Sequence, residues 1–139
     1  MGFFSNLFRS RSEVPRGMRA TLVGPGTFAL PVVGESHYQD ALEAVCGPRS
    51  DEGEDRVVEA QLVLEDNNPY DSMAVRIDIQ GHAVGYLNRR HAREYREQLT
   101  KASYPHANAY CHARIRGGWD RGERGKGFYG VYLDLPINQ

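Results

Sequence analysis

A chain of 139 residues with 40% hydrophobic and 25% charged side chains has the size and composition of one globular domain around one core. No apolar run approaches the roughly 20 residues that a membrane-crossing helix needs, so no membrane role is expected. The formal net charge of -1 conceals an asymmetry: residues 35–71 hold 11 acidic and 2 basic side chains, whereas residues 76–126 hold 11 basic and 5 acidic ones. The second half would attract a polyanion if the two halves fold onto different faces.

Residues 1–27 read as an N-terminal arm, flexible or locally docked, on which Phe3, Phe4, Leu7 and Phe8 with Arg9 and Arg11 make a short amphipathic turn. Its apolar part is too short for a secretory signal, and no small-residue cleavage site follows. Residues 28–139 form the single domain. It opens with a strand over 28–34 and a short helix over 38–45, followed by an acidic loop over 48–55. Val58, Ala60, Leu62 and Leu64 alternate with polar neighbours, predicting a strand over 57–65. A second strand, 73–79, carries Val75, Ile77 and Ile79, and the short turn Gln80-Gly81-His82 returns the chain into a third, 83–87. Asn88 is placed to cap a helix whose Ala92, Tyr95, Arg96 and Leu99 recur at helical spacing, with Arg89, Arg90, Arg93, Arg96 and Lys101 on its exposed sides and Pro105 beyond its end. Strands over 109–116 and 127–135 follow, separated by a loop, 117–126, rich in glycine and charge. Five or six short strands with two short helices give a mainly β, α+β chain folded as a small, partly closed barrel.

Between the first two strands of the meander stands Asn68-Pro69-Tyr70-Asp71. Pro69 fixes its own φ and drives Asn68 toward extended backbone, while Asn67, Asn68 and Asp71 can bond neighbouring amides, so the tetrapeptide reads as a tight corner that orients a tyrosine beside a carboxylate. Single-stranded nucleic acid is bound by combining aromatic platforms with positive charge. Tyr70, Tyr86 and Phe128 supply the rings; Arg89 and the loop residues Arg121, Arg124 and Lys126 supply the charge. Asp71 would repel an internal phosphate, yet it can accept a hydrogen bond from an uncharged terminal hydroxyl, which suits it to a strand end. The alternative at each position is structural: Tyr70 and Asp71 bracing the corner, Tyr86 and Phe128 in the core, the arginines on a solvated helix face.

The order of these elements, from Val33-Gly34 through Asn68-Pro69-Tyr70-Asp71 and Met73-Ala74-Val75 to Val84-Gly85-Tyr86-Leu87, resembles the HIRAN family over roughly residues 31–136. These are small β-rich domains that stand alone in bacteria and are fused to DNA-remodelling helicases in eukaryotes. The resemblance implies an OB-like barrel and capture of the 3′-hydroxyl end of single-stranded DNA, as helicase members do. It assigns the end-binding corner to Asn68, Tyr70 and Asp71, a polar ring near the DNA to Tyr86, a phosphate contact to Arg89 and a last-hairpin aromatic to Phe128. After Val33-Gly34 the helicase members carry an Arg-Tyr pair; this chain reads Glu35-Ser36-His37-Tyr38, leaving His37 or Tyr38 to stack there.

Catalysis is not expected. The five histidines are scattered, no serine or cysteine stands in a nucleophile setting, and Gly122 to Gly127 lacks the spacing of a phosphate-binding loop. His106, Cys111 and His112 match no zinc pattern, so no metal or cofactor is expected. Cys46 and Cys111 are read as reduced thiols of a cytoplasmic protein. Repair or replication restart is the expected setting. The second function class is an adaptor that docks a helicase or nuclease through the acidic loop and the apolar arm, without touching DNA.

Overall fold

The computed structural model describes residues 20–137. Six strands lie in one antiparallel sheet: β1 (Leu30–Pro31), β2 (Glu54–Leu64), β3 (Val75–Ile79), β4 (His82–Tyr86), β5 (Ala109–Gly117) and β6 (Tyr129–Asp134), in the order β1-β6-β5-β2-β3-β4. The sheet curls until its edges meet. Just beyond β1, Val33 N donates to Tyr86 O at 2.8 Å and Tyr86 N donates to Val33 O at 2.9 Å. Two helices, α1 (Gln39–Cys46) and α2 (Arg89–Lys101), complete the OB-like barrel.

Alternation along the strands puts one face of each inside. Val75, Ile77 and Ile79 of β3, Ala109, Cys111, Ala113 and Ile115 of β5, and Tyr129, Val131 and Leu133 of β6 are buried in one cluster with Ala92, Tyr95 and Leu99 of α2. Cys111 therefore points inward while His112, its neighbour, is exposed, so the two face opposite sides of one strand. The long β2 holds the barrel together, pairing with β5 from Glu54 to Leu62 and with β3 from Gln61 to Leu64. Gln80 and Gly81, with φ of 51° and 79°, form the two-residue turn of the β3–β4 hairpin, whose left-handed backbone matches the twist of the strands.

At the seam, Gly85 has φ +153°, and a Cβ there would lie 2.7 Å from the Val33 carbonyl oxygen and against the Val32 side chain. Glycine is what lets the two edges approach. The strand expected over 28–34 shrinks to Leu30–Pro31 plus the Val33 bridge. Pro31 has no amide to donate, Phe28 sits at φ 49°, and Gly34 at φ 79° turns the chain into the 3-10 turn Glu35–His37. The aromatic turn expected near Phe3 and Phe8 lies outside the described residues. The described end of that arm is docked: Ala20 and Leu22 are buried, Leu22 N donates to Tyr110 O at 2.7 Å, and Tyr110 N donates to Ala20 O at 2.8 Å.

The charge halves do not separate onto different faces. Because β2 lies between β3 and β5, acidic residues on it and just past its end meet basic ones from the second half: Asp55 with Arg114 at 2.7 Å and Glu65 with Arg76 at 2.9 Å. Asp66 and Arg96, 2.8 Å apart, repeat the pattern beyond the end of β2. Part of the asymmetry along the sequence is consumed by pairing across the fold.

Candidate nucleic-acid interface

The corner is built from its own side chains. Asn68 Oδ1 accepts from Tyr70 N at 2.8 Å and Asp71 N at 3.1 Å, while Asn68 Nδ2 donates to Glu65 Oε1 at 2.9 Å. Asp71 repeats the device, its Oδ1 accepting from Met73 N at 2.9 Å. Two successive Asx turns thus fix the backbone on either side of Tyr70 and Asp71. The base of the corner is closed by Glu65 N donating to Ala74 O and Ala74 N to Asp71 O, both at 3.0 Å. Tyr70 stands 90% exposed on this rigid support, covering nothing.

Arg96 departs from the expectation of an outward-facing helix side chain. Its side chain is only 11% exposed, because Nε donates to Met73 O at 2.7 Å, one terminal nitrogen donates to Ala74 O at 2.9 Å, and the other meets Asp66 Oδ1 at 2.8 Å. The guanidinium fork clamps the chain leaving the corner to α2. α2 starts where Asn88 Oδ1 accepts from His91 N at 2.8 Å, the cap expected of that residue. One turn apart on this helix, Arg89 and Arg93 face Asp71, with Arg89 Nε 3.9 Å from Oδ2 and a terminal nitrogen of Arg93 3.6 Å from Oδ1. These distances give charge attraction without a committed hydrogen bond. The Arg89 side chain stays 77% exposed, and the Asp71 carboxylate 16% exposed.

Tyr86 is half-buried, with its hydroxyl bonded to Glu65 and Tyr38; burial, reinforced by these partners, pushes its ionisation well above the usual phenol range. Burial also pushes the Glu65 carboxyl up, but hydrogen bonds from Asn68, Tyr86 and Arg76 outweigh it and hold the group below the usual range. Tyr86 therefore joins the corner to the seam through its hydroxyl. Together with Leu64, Glu65, Asn68, Pro69 and Tyr70 it lines an open cleft of about 530 Å³. On the far side of the seam, His37 is exposed and Tyr38 half-buried.

Phe128, Arg121, Arg124 and Lys126 are elsewhere. Their loop is fixed at the start of β2, where Asp120 N donates to Ser50 O at 2.7 Å and Arg121 Nε to Asp51 O at 3.1 Å, whereas the corner follows the end of β2. Arg121 lies over the Trp119 ring at 4.3 Å, and Lys126 is 3.8 Å from Asp120. Phe128 is 73% exposed, so neither it nor Tyr70 is a core residue. Among the expected site residues, the structure brings together Asn68, Tyr70, Asp71, Tyr86 and Arg89, sets His37 and Tyr38 beside them across the seam, and leaves the loop as a separate cationic and aromatic cluster. Arg93, Glu65 and Arg96 belong to the corner but were not among the expected site residues. The four-residue spacing of Arg89 and Arg93 was the available signal for the first; nothing local marks the other two. Trp119, the only tryptophan, is likewise part of the loop platform.

Comparison of the chain with protein-family models, with curated proteins and with solved structures gives no match.

Proposed function

We propose that the chain is a non-catalytic module that binds single-stranded DNA and takes a free 3′-hydroxyl end at the Asn68–Asp71 corner. One observation carries this reading. A tyrosine ring that braced the corner would have to cover something, and Tyr70 is almost wholly in solvent on a backbone pinned from both sides. A rigid, exposed ring is the form in which a protein offers a stacking platform at low entropic cost.

Each neighbour then has a role. Tyr70 stacks on the terminal base. Asp71 keeps unshared lone pairs on both oxygens and accepts from the terminal hydroxyl. Arg89 and Arg93 offset its charge and, having donors to spare, reach the adjacent phosphate. The HIRAN resemblance of the corner supports the same assignment, as does the OB-like barrel. Repair or replication restart in the cytoplasm is the setting this binding suits, with any helicase, ATPase or nuclease activity residing in a partner.

The test is a fluorescence polarisation titration of two oligonucleotides that differ only at the 3′ end. The hydroxyl end binds more tightly than the phosphate end, whose added charge faces Asp71. Tyr70→Ala weakens the hydroxyl-ended strand by about 1–3 kcal/mol, the worth of one stacked base. Equal affinity for both ends, together with a silent Tyr70→Ala, refutes the reading. So does a complex with a repair enzyme that survives Tyr70→Ala and Asp71→Ala while wild-type protein binds no oligonucleotide.

A further inference from the structure

The loop cluster of Trp119, Arg121, Arg124 and Phe128 has no part in the corner, yet strand register puts both on one path. Val63 pairs with Arg76, Arg76 with Tyr86, and Tyr86 with Val33. Val32 N donates to Val131 O at 2.9 Å and Pro31 pairs with Tyr132, so Val33 comes level with Gly130. The row from the end of β2 to the start of β6 therefore crosses four strand spacings, roughly 19 Å. The corner leaves the sheet at one end of this row. Phe128 enters it at the other.

The row first passes Arg76, ion-paired with Glu65 at 2.9 Å and Asp78 at 2.8 Å, and from Tyr86 onward it is aromatic and apolar. The Tyr86 hydroxyl meets Tyr38, Val33 is 39% exposed, and His37 is exposed beside them. Gln39 ties this stretch to β6, its Oε1 accepting from Tyr129 N at 2.8 Å and its Nε2 donating to Tyr129 O at 3.1 Å. Glu35 is the one carboxylate within the turn itself, and burial pushes its ionisation up, against the pull of a backbone hydrogen bond. The loop at the far end is preformed: Gly127 N donates to Trp119 O at 2.9 Å, Arg121 N to Gly125 O at 3.0 Å, and the Arg121 guanidinium is held over the indole. Arg124 and Phe128 are exposed on it.

We infer that the loop is a second, length-dependent contact for the same strand, so that a single-stranded polynucleotide anchored by its end at Tyr70 and Asp71 runs across the Tyr86–Val33 seam and is held again by Phe128, Arg121 and Arg124. This rests on the reading of the corner as the strand-end site. At a stacked rise of about 3.4 Å per nucleotide the row is about six nucleotides long, and fewer when the strand is stretched. That lies within the span of about 4–16 nucleotides that OB folds occupy. A trinucleotide reaches the corner only; a dodecanucleotide reaches both.

The experiment compares a 3′-hydroxyl trinucleotide with a 3′-hydroxyl dodecanucleotide of the same base, titrated against wild type, Phe128→Ala, Arg124→Ala, Arg121→Ala and Tyr70→Ala. The expected result is that Phe128→Ala weakens the dodecamer about 5-fold or more and leaves the trimer unchanged, whereas Tyr70→Ala weakens both. Arg124→Ala, on an exposed side chain that leaves the loop's bonds intact, reproduces the dodecamer loss in milder form and flattens its salt dependence. Arg121→Ala shows the same pattern as Phe128→Ala. Equal affinity of wild type for trimer and dodecamer, with the loop variants silent, overturns the track while leaving the corner standing. Loop variants that weaken trimer and dodecamer alike also overturn it, since the loop would then belong to the end site. A dodecamer that depends on the loop but not on Tyr70 overturns the end-anchored track and the corner reading together.

Discussion

Replacing Arg96 by alanine removes a clamp that holds the corner from outside. The magnitude follows from its three contacts. The bond to Met73 O, at 2.7 Å from a charged donor, is worth about 1.5–3 kcal/mol. Ala74 O keeps the Glu65 amide at 3.0 Å, so the loss there is smaller. The Asp66 carboxylate is 53% exposed and rehydrates, which limits the ion pair to about 1 kcal/mol. Together these predict a loss of about 3 kcal/mol, or about 10 °C in Tm at this chain length. Arg96→Lys keeps the charge but cannot present three donors in a plane, and it recovers less than half. Urea unfolding of the two variants measures both numbers, and oligonucleotide binding at a temperature where each is folded shows whether Tyr70 and Asp71 have lost their fixed placement. Arg89→Ala is the contrast: its side chain is 77% exposed, so stability moves by less than about 0.5 kcal/mol while oligonucleotide binding weakens. An Arg96→Ala variant within about 0.5 kcal/mol of wild type, or full recovery by lysine, would refute the clamp.

Gly85→Ala places a methyl 2.7 Å from the Val33 carbonyl and at φ +153°, so the seam opens and stability falls by about 2–4 kcal/mol by urea midpoint; a change below about 0.5 kcal/mol would show that the barrel does not depend on this closure. His91 and Glu65 each contribute an acid step to the pH dependence. Burial holds the His91 imidazole below its ordinary value, with Arg90 adding and Glu94 opposing, so the folded state prefers the neutral ring. Below the unfolded value of 6.5 the unfolded chain takes up the proton first, and stability that is whole above that pH declines as pH falls. Glu65, held below its unfolded value of 4.5, contributes stability that is present above that pH and lost further down, as pH drops through its lowered folded value. Urea midpoints measured between about pH 2 and 8 separate the two, since His91→Gln flattens the upper step alone; an upper step that persists unchanged in His91→Gln assigns it to another group.

What could be read from the sequence was whatever is encoded within a few residues. The β3–β4 hairpin declares itself by alternation around Gln80-Gly81, α2 by Asn88 and the spacing of Ala92, Tyr95 and Leu99, and the corner by Pro69 between Asn68 and Asp71. What could not be read was set by pairing at long range. Whether Arg96 faces solvent or the corner depends on how α2 lies against Met73 and Ala74, 22 or 23 residues away in sequence. Whether the acidic and basic halves separate depends on β2 being central in the sheet, which no local pattern reveals. The separation of Phe128 and the loop from the corner has the same origin. Both flank strands of one barrel, and only the register says how far apart along the rim they lie.

The two readings of the corner, brace and proposed binding site, call on different atoms. Bracing is done by the Asn68 side chain, by one Asp71 oxygen through the Met73 amide and by the Arg96 fork. None of these needs the Tyr70 ring, the other Asp71 oxygen or the Arg89 side chain. A corner selected only for stability would have no use for a ring 90% in solvent, nor for two guanidiniums that stop 3.6 and 3.9 Å short of the carboxylate. Nor does one carboxylate facing two guanidiniums repel a polyanion as an isolated one would, since the local charge is positive. On the proposed reading, the rigidity supplied by the bracing atoms is what would make the spare ones useful: a strand end that meets a ring already in place would lose only its own freedom on binding.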